Sequence, residues 1–343
     1  MVSLSIDKNK ILLLWGPFLI ITGSILFDLL NGFIQLVLNN DFSVGVLYRG
    51  VILMLLLPYI LKKRTLFFYA FIFILFFFLI SNYVWLLSQP FYNSFFEIKM
   101  LSRSLYLYVI TSFFIYCHKT LEIKKLLQFV VWFGVLGGSA IIFSFFTGIG
   151  LDTYGDYSFG VKSFFPAQND TSLALLLSLV ITIYIFLKKR KVLHFIYALI
   201  ITAGCFFLGT RAGMGGSIMV WVSVVFGLLL FKFRDVSFTK FTKAVVFLSF
   251  LIVLFIGASF ALRILVENQY LLNKFTVEAL VGGHARGWLA EAGQRIISES
   301  NFMEFLFGHG KFAHSLKINY LGEMNYNELS QAEVDHLDYI GSY

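Results

Sequence analysis

The run TLFFYAFIFILFFFLISNYVWLL, residues 65–87, contains no charged side chain over 23 consecutive positions. A helix of that length rises about 35 Å, enough to cross a hydrocarbon core about 30 Å thick. Its apolar residues are continuous rather than alternating, so the strands of a transmembrane barrel do not compete as a reading. Comparable runs lie on both sides, near 11–30 and 43–61 before it, and near 101–117, 126–147, 171–187, 192–208, 214–231 and 244–262 after it. Nine spans are expected, forming one all-α polytopic integral membrane bundle. The first run is too long for a signal peptide and lacks a small-residue cleavage site, so it reads as a retained span.

Composition leads to the same place. Of the 343 residues 59% are hydrophobic and only 13% charged, whereas a soluble domain carries about 25% charged residues. A soluble enzyme is excluded, and so is a disordered chain, which requires low hydrophobicity. The two cysteines, Cys117 and Cys205, sit inside apolar runs and read as small packing residues rather than a disulfide framework.

The formal charge of +8 is resolved by position. Basic clusters at Lys8 and Lys10, Lys62 to Arg64, Lys119 to Lys125, Lys188 to Lys191 and Lys232 to Lys243 fall in alternate connections. They hold sixteen of the 27 Lys and Arg, beside only Asp7, Glu122 and Asp235. That alternation is the positive-inside pattern and makes the N-terminus cytoplasmic. The excess charge is therefore a signal of orientation, and no nucleic-acid partner is expected. Two regions follow: a transmembrane bundle over residues 1–262 and an external loop over 263–343, with 6 basic and 10 acidic residues and four of the six histidines. Hydrophobicity rises again at the end of the sequence, in DYIGSY (338–343), where a further span is expected to follow.

Ionisable residues in spans are costly and are functional candidates by default. Arg49 and Arg103 lie near the expected outer ends of spans two and four, either snorkelling to headgroups or lining an external cavity that receives an anion. Arg211 sits in GTRAGMGG (209–216), at the short outer turn between spans seven and eight. There it is an anion-binding candidate beside a helix N-terminus, or it marks a glycine-rich hairpin that lets helices pack closely. In the external loop, HARGWLAEAGQRIISE (284–299) places Ala285, Trp288, Leu289, Ala292 and Ile296 on one helical face and Arg286, Glu291, Gln294 and Arg295 on the other. Such a helix lies on a bilayer or packs on the bundle, with Arg286 a candidate for a lipid headgroup. LFGHGKF (306–312) flanks His309 with Gly308 and Gly310, and AEVDHLD (332–338) gathers Glu333, Asp335, His336 and Asp338. His284, His309 and His314 lack the pairing of a metal motif, and there is no phosphate-binding loop for a nucleotide. No metal and no cofactor are expected, so a reaction here must draw on a substrate already activated in the membrane.

Several segments together, and in the same order, resemble the O-antigen polymerase and O-antigen ligase superfamily of membrane glycosyltransferases. FFPAQNDTSLAL (164–175) is similar to that family's outer loop leading into a span. GTRAGMGG is similar to its short arginine turn, with Gly209 and Ala212 as local departures. ARGW (285–288), the LFGHG loop and AEVDHLD are similar to its external segment. The resemblance implies a GT-C-like helical bundle in the bacterial inner membrane. Its donor is a glycan on undecaprenyl pyrophosphate, and its acceptor is another lipid-linked repeat unit in a polymerase or lipid A–core in a ligase. It further implies Arg211 and Arg286 as cations facing the leaving pyrophosphate. Arg49, Arg103 and His309 are the other substrate-binding candidates. Asn169 and Asp170 either meet sugar hydroxyls or cap span six. Related ligases place a histidine where Glu333 aligns, a departure that favours a polymerase, with Glu333, Asp335 or His336 as the catalytic base. A polysaccharide-lipid transporter or flippase is the reading from another class, less favoured because the charges gather at the outer surface and not at mid-membrane. Membrane lipid, a chain-length regulator and a flippase are the partners such a polymerase would have.

Overall fold

Each of the first eight expected spans is helical through its described part in the computed structural model, which describes residues 15–38, 44–63, 65–88, 94–152, 160–165, 168–230, 294–296, 298–299 and 302. A π-helical turn, Leu19–Gly23, runs into α1 (Ser24–Leu38), followed by α2 (Val44–Lys63), α3 (Thr65–Ser88), α4 (Ser94–Cys117) and α5 (Ile123–Thr147). A two-stranded antiparallel ribbon, β1 (Leu151–Asp152) and β2 (Val161–Ser163), interrupts the helices before α6 (Gln168–Lys189), α7 (Val192–Phe207) and α8 (Arg211–Leu230). The fold is an all-α polytopic membrane bundle, as the apolar runs predict. The ninth run, 244–262, lies outside the described residues.

Among the described residues, four helices are long and apolar enough to cross a bilayer by themselves: Trp15–Ile34, Phe67–Val84, Ile123–Thr147 and Gln168–Lys189. The other four carry shorter apolar stretches, Val44–Pro58, Leu105–Cys117, Val192–Phe207 and Ala212–Gly227. α7 shows why a short helix suffices. Its 16 residues span about 24 Å, and it packs against α5, α6 and α8 at once.

The chain divides into two compact units, residues 1–52 with 117–272, and residues 53–116 with 273–343. In the first, α5 to α8 enclose a core that includes Ile141, Leu175, Leu179, Ile201, Cys205 and Trp221, with Ile25 of α1 added to it. Helices in lipid associate through close packing and interhelical hydrogen bonds rather than water exclusion. Here α5 and α7 meet backbone to backbone: a Cβ added to Gly204 would lie 2.6 Å from the Gly138 Cα. Trp221 of α8 donates its indole N–H to Thr202 Oγ1 of α7 at 3.0 Å, adding a polar tie inside the apolar core.

In the second unit, the Tyr108 hydroxyl of α4 donates to the Phe67 carbonyl of α3 at 2.9 Å. α3 is apolar on every face, and only 17% of Phe67–Val84 is buried, as befits a helix bathed in lipid. α4 begins seven residues before the apolar run that announced it, and its first turn includes the buried Glu97.

Candidate functional site

α5 and α7 run in the same direction. Trp132 meets Tyr197 near their starts, and Phe145 stacks on Phe207 at their ends, with ring centroids 4.2 Å apart. The described basic clusters of this unit, Lys119 to Lys125 and Lys188 to Lys191, therefore share one end of the bundle, and the GTRAG turn stands at the other.

That turn is built residue by residue. The Leu208 and Gly209 N–H groups donate to the carbonyls of Gly204 and Phe206, closing α7. Gly209 takes a left-handed φ of 73°, which a residue with a Cβ rarely adopts. Thr210 is then the cap of α8: its Oγ1 accepts the Gly213 N–H at 3.0 Å, three residues on. Arg211 is the first residue of α8, at the positive end of the helix dipole. Gly213 lies where an added Cβ would approach the Cys205 carbonyl to 2.9 Å, so α8 starts in close contact with the end of α7. The motif supplies a close-packed hairpin and an arginine at a helix N-terminus together, and the two readings of the sequence are not exclusive.

The other motif of this end, residues 164–175, is tied directly to the turn. Thr210 shares a buried hydroxyl–hydroxyl hydrogen bond with Ser172 of α6. Ser172 Oγ also donates to the Gln168 carbonyl at 3.0 Å. With that single proton committed, Thr210 is the donor of the shared bond and the acceptor for Gly213. Asn169 and Asp170 are exposed on the first turn of the same helix. They lie one and two residues inside its start at Gln168 and so do not occupy the cap position; Asp170 favours the helix N-terminus by its charge.

The loop before α6 is folded onto the bundle. Phe165 is buried in the core, and the Phe164 carbonyl presses on Gly32 of α1, where an added Cβ would lie 1.8 Å away. Ser163 takes a left-handed φ of 57° and is held by two bonds: Ser144 Oγ donates to Ser163 Oγ at 2.7 Å, and Ser163 Oγ donates to the Ala140 carbonyl at 3.2 Å. The ribbon is thereby pinned to the end of α5.

Arg49 stands one turn inside α2 and donates from Nη2 to Asp28 Oδ1 of α1 at 2.8 Å. Beside this pair, the Gly45 N–H donates to Asn31 Oδ1 at 3.3 Å, and the Tyr48 hydroxyl donates to the Leu19 carbonyl in the π-helical turn. Arg49 therefore has a carboxylate partner within the bundle that the sequence did not announce. Arg103 lies nine residues into α4, further from the helix end than its apolar run implied, because α4 starts at Ser94.

Arg286, His309, Glu333, Asp335 and His336 lie outside the described residues. Of the expected amphipathic helix, Gln294 to Ile296 is helical, Ile296 of its apolar face is buried, and Arg295 pairs with Glu299 one turn on at 2.9 Å. The Ser172–Thr210 bond thus ties the start of α6, which carries Asn169 and Asp170, to the residue before Arg211 at the start of α8. The two hydroxyls were missed in the sequence because nothing in a Ser within an apolar helix, or a Thr in a short turn, says whether it bonds its own backbone or a neighbour.

No curated protein and no solved structure matches the chain. Residues 6–269, well over half of its length, match the family described as O-antigen ligase like membrane protein. By that match, and by the membrane bundle that carries it, the chain belongs to the O-antigen ligase-like family of membrane proteins, which act in surface-polysaccharide assembly.

Proposed function

We propose that the chain is a glycosyltransferase of the bacterial inner membrane that joins undecaprenyl-pyrophosphate-linked oligosaccharide units into O-antigen or a related surface polysaccharide at the outer face. The observation that supports this reading best is the link between the two motif-bearing segments, 164–175 and 209–216. It gathers exposed polar side chains and the first residue of α8, Arg211, at the end of the bundle opposite the basic clusters.

The chemistry asks for that arrangement. The bond from the anomeric carbon to the pyrophosphate oxygen breaks, and the acceptor oxygen bonds to the same carbon. Negative charge grows on the leaving group, where a guanidinium and a helix N-terminus stabilise it more in the transition state than in the ground state. The acceptor hydroxyl gives its proton to a carboxylate or imidazole, for which Glu333, Asp335 and His336 are the candidates. Arg286 is the second candidate cation. Glu333, where related ligases have histidine, favours polymerisation. Ligation to lipid A–core is the second reading, favoured by the ligase-like family matched over residues 6–269.

Deleting the gene separates them. A lipid core bearing a single repeat identifies a polymerase, and bare core with lipid-linked polymer accumulating identifies a ligase. Arg211→Ala and Arg286→Ala are each expected to lower polymer formation about a hundredfold at normal protein level, the scale of losing one preorganised charge-stabilising donor. Unchanged polymer in both variants removes the proposed cation roles.

A further inference from the structure

We propose that Ser172 is a positioning residue for glycosyl transfer: its buried hydroxyl holds Thr210, the cap of α8, and so sets the place from which Arg211 meets the pyrophosphate of the lipid-linked donor. The inference rests on the reading of Arg211 given above.

Ser172 and Thr210 are 0% and 1% exposed. Two buried hydroxyls are an unneeded expense if packing alone is required, because apolar groups of the same shape would fill the space about as well. What the pair adds is direction. A hydrogen bond between hydroxyls tolerates little displacement, and this one joins the start of α8 to the first turns of α6. The same Thr210 oxygen accepts the Gly213 N–H, so the bond that locates the turn also ends it. The relay is directional: Gly213 N–H to Thr210, Thr210 to Ser172, Ser172 to the Gln168 carbonyl. Further along, the bond from Trp221 to Thr202 fixes α8 against α7. α8 is therefore tied to α6 at its first turn and to α7 a few turns later, and a slide along its axis breaks both ties. Arg211 is the residue next to Thr210, so any loosening of the cap reaches it first. Misplacement of a charge-stabilising group by a fraction of an ångström is felt in binding and rate before it is felt in folding.

The test uses the full chain purified into lipid bilayers, with an undecaprenyl-pyrophosphate-linked repeat unit as donor and either a second unit or lipid A–core as acceptor. Ser172→Ala deletes the shared bond, Thr210→Val deletes it together with the Gly213 cap while retaining the shape, and Thr210→Ser keeps both of its hydrogen bonds. The first two are expected to raise the donor KM about fivefold, the scale of one buried neutral hydrogen bond, beside a modest fall in melting temperature. Thr210→Ser is expected to behave as the parent, and the double variant Ser172→Ala with Thr210→Val to lose less than the two singles combined, since the shared bond is removed only once. An unchanged donor KM overturns the inference, as does a fall in melting temperature or protein level with KM unaltered, which marks a structural hydroxyl only. Additive effects in the double variant overturn it too. Arg211→Ala, measured alongside, separates the two layers. If it abolishes transfer while the hydroxyl variants behave as the parent, the positioning role falls and the function stands. If Arg211→Ala is itself silent, or the parent is inert toward the donor, the functional reading falls and takes the positioning role with it.

Discussion

Asp28 and Arg49 show what a single pair does in a membrane helix bundle. Alone, either charge on an apolar span is costly; together, at 2.8 Å, they neutralise one another across α1 and α2. Both side chains remain about a third exposed, so the pair is worth less than a fully enclosed one and its loss less than the full desolvation cost. Asp28→Ala and Arg49→Ala are each expected to destabilise the detergent-solubilised protein by about 1–2 kcal/mol, read as a lower melting temperature. The double variant is expected to lose less than the two singles combined, because removing both charges leaves none unmatched. Strict additivity in that cycle would show that the pair contributes nothing as a pair. Arg49 was legible in the sequence as an unusual charge in a span, but Asp28 was not legible as its partner. Twenty-one residues and a helix hairpin separate them, and the register of two helices is decided by packing that no single-sequence pattern contains.

Elements were far more legible, because an uninterrupted apolar run of about 20 residues has few other solutions in a membrane. The eight described helices fall on the first eight runs, with the largest departure at the start of α4. There Glu97 and Lys99 interrupt the hydrophobic signal while the backbone remains helical, since an apolar run locates lipid and not the hydrogen-bonded ladder. Close approaches between elements were the hidden part. Gly32 is an unremarkable glycine on α1 until the loop before α6 is seen to press its Phe164 carbonyl against it. A methyl group there would lie 1.8 Å from a backbone oxygen, which has no flexible end to move aside. Gly32→Ala is therefore expected to push α1 and that loop apart, costing about 2–3 kcal/mol in the range of an overpacked core. It is also expected to reduce polymer formation, because the same loop carries Phe165 into the core and leads into the turn holding Asn169, Asp170 and Ser172. Gly50→Ala on α2 is the control: nothing lies within 4 Å of its added Cβ, so stability should hold or rise slightly. Equal behaviour of the two variants, in melting temperature and in surface polymer, removes the claimed role of the α1–loop contact.

For the molecule as a whole, orientation decides whether the proposed chemistry has access to its substrates. In the first unit, Lys119 to Lys125 and Lys188 to Lys191 stand at one end and Arg211 at the other, an asymmetry of sequence and structure together. Positive residues are retained on the cytoplasmic side during insertion, so the Arg211 end is expected to face outward, where lipid-linked glycans are displayed. The structure also makes the test clean. Cys117 and Cys205, the chain's two native thiols, are 1% and 0% exposed, so background labelling by a charged thiol reagent should be small. Ile149 is 46% exposed just beyond α5, and Thr120 is exposed in the turn before it. Cysteine placed at Ile149 should react with a membrane-impermeant maleimide in intact spheroplasts, and cysteine placed at Thr120 only after lysis. The opposite result would turn Arg211, Asn169 and Asp170 toward the cytoplasm and remove the outer-face site whatever their chemistry. Labelling of both in intact spheroplasts would place the two ends of α5 on one side, which a 25-residue apolar helix spanning the bilayer does not allow. Reaction at Ile149 alone would instead make the basic clusters a measured orientation device and leave Arg211 on the face where donor and acceptor meet.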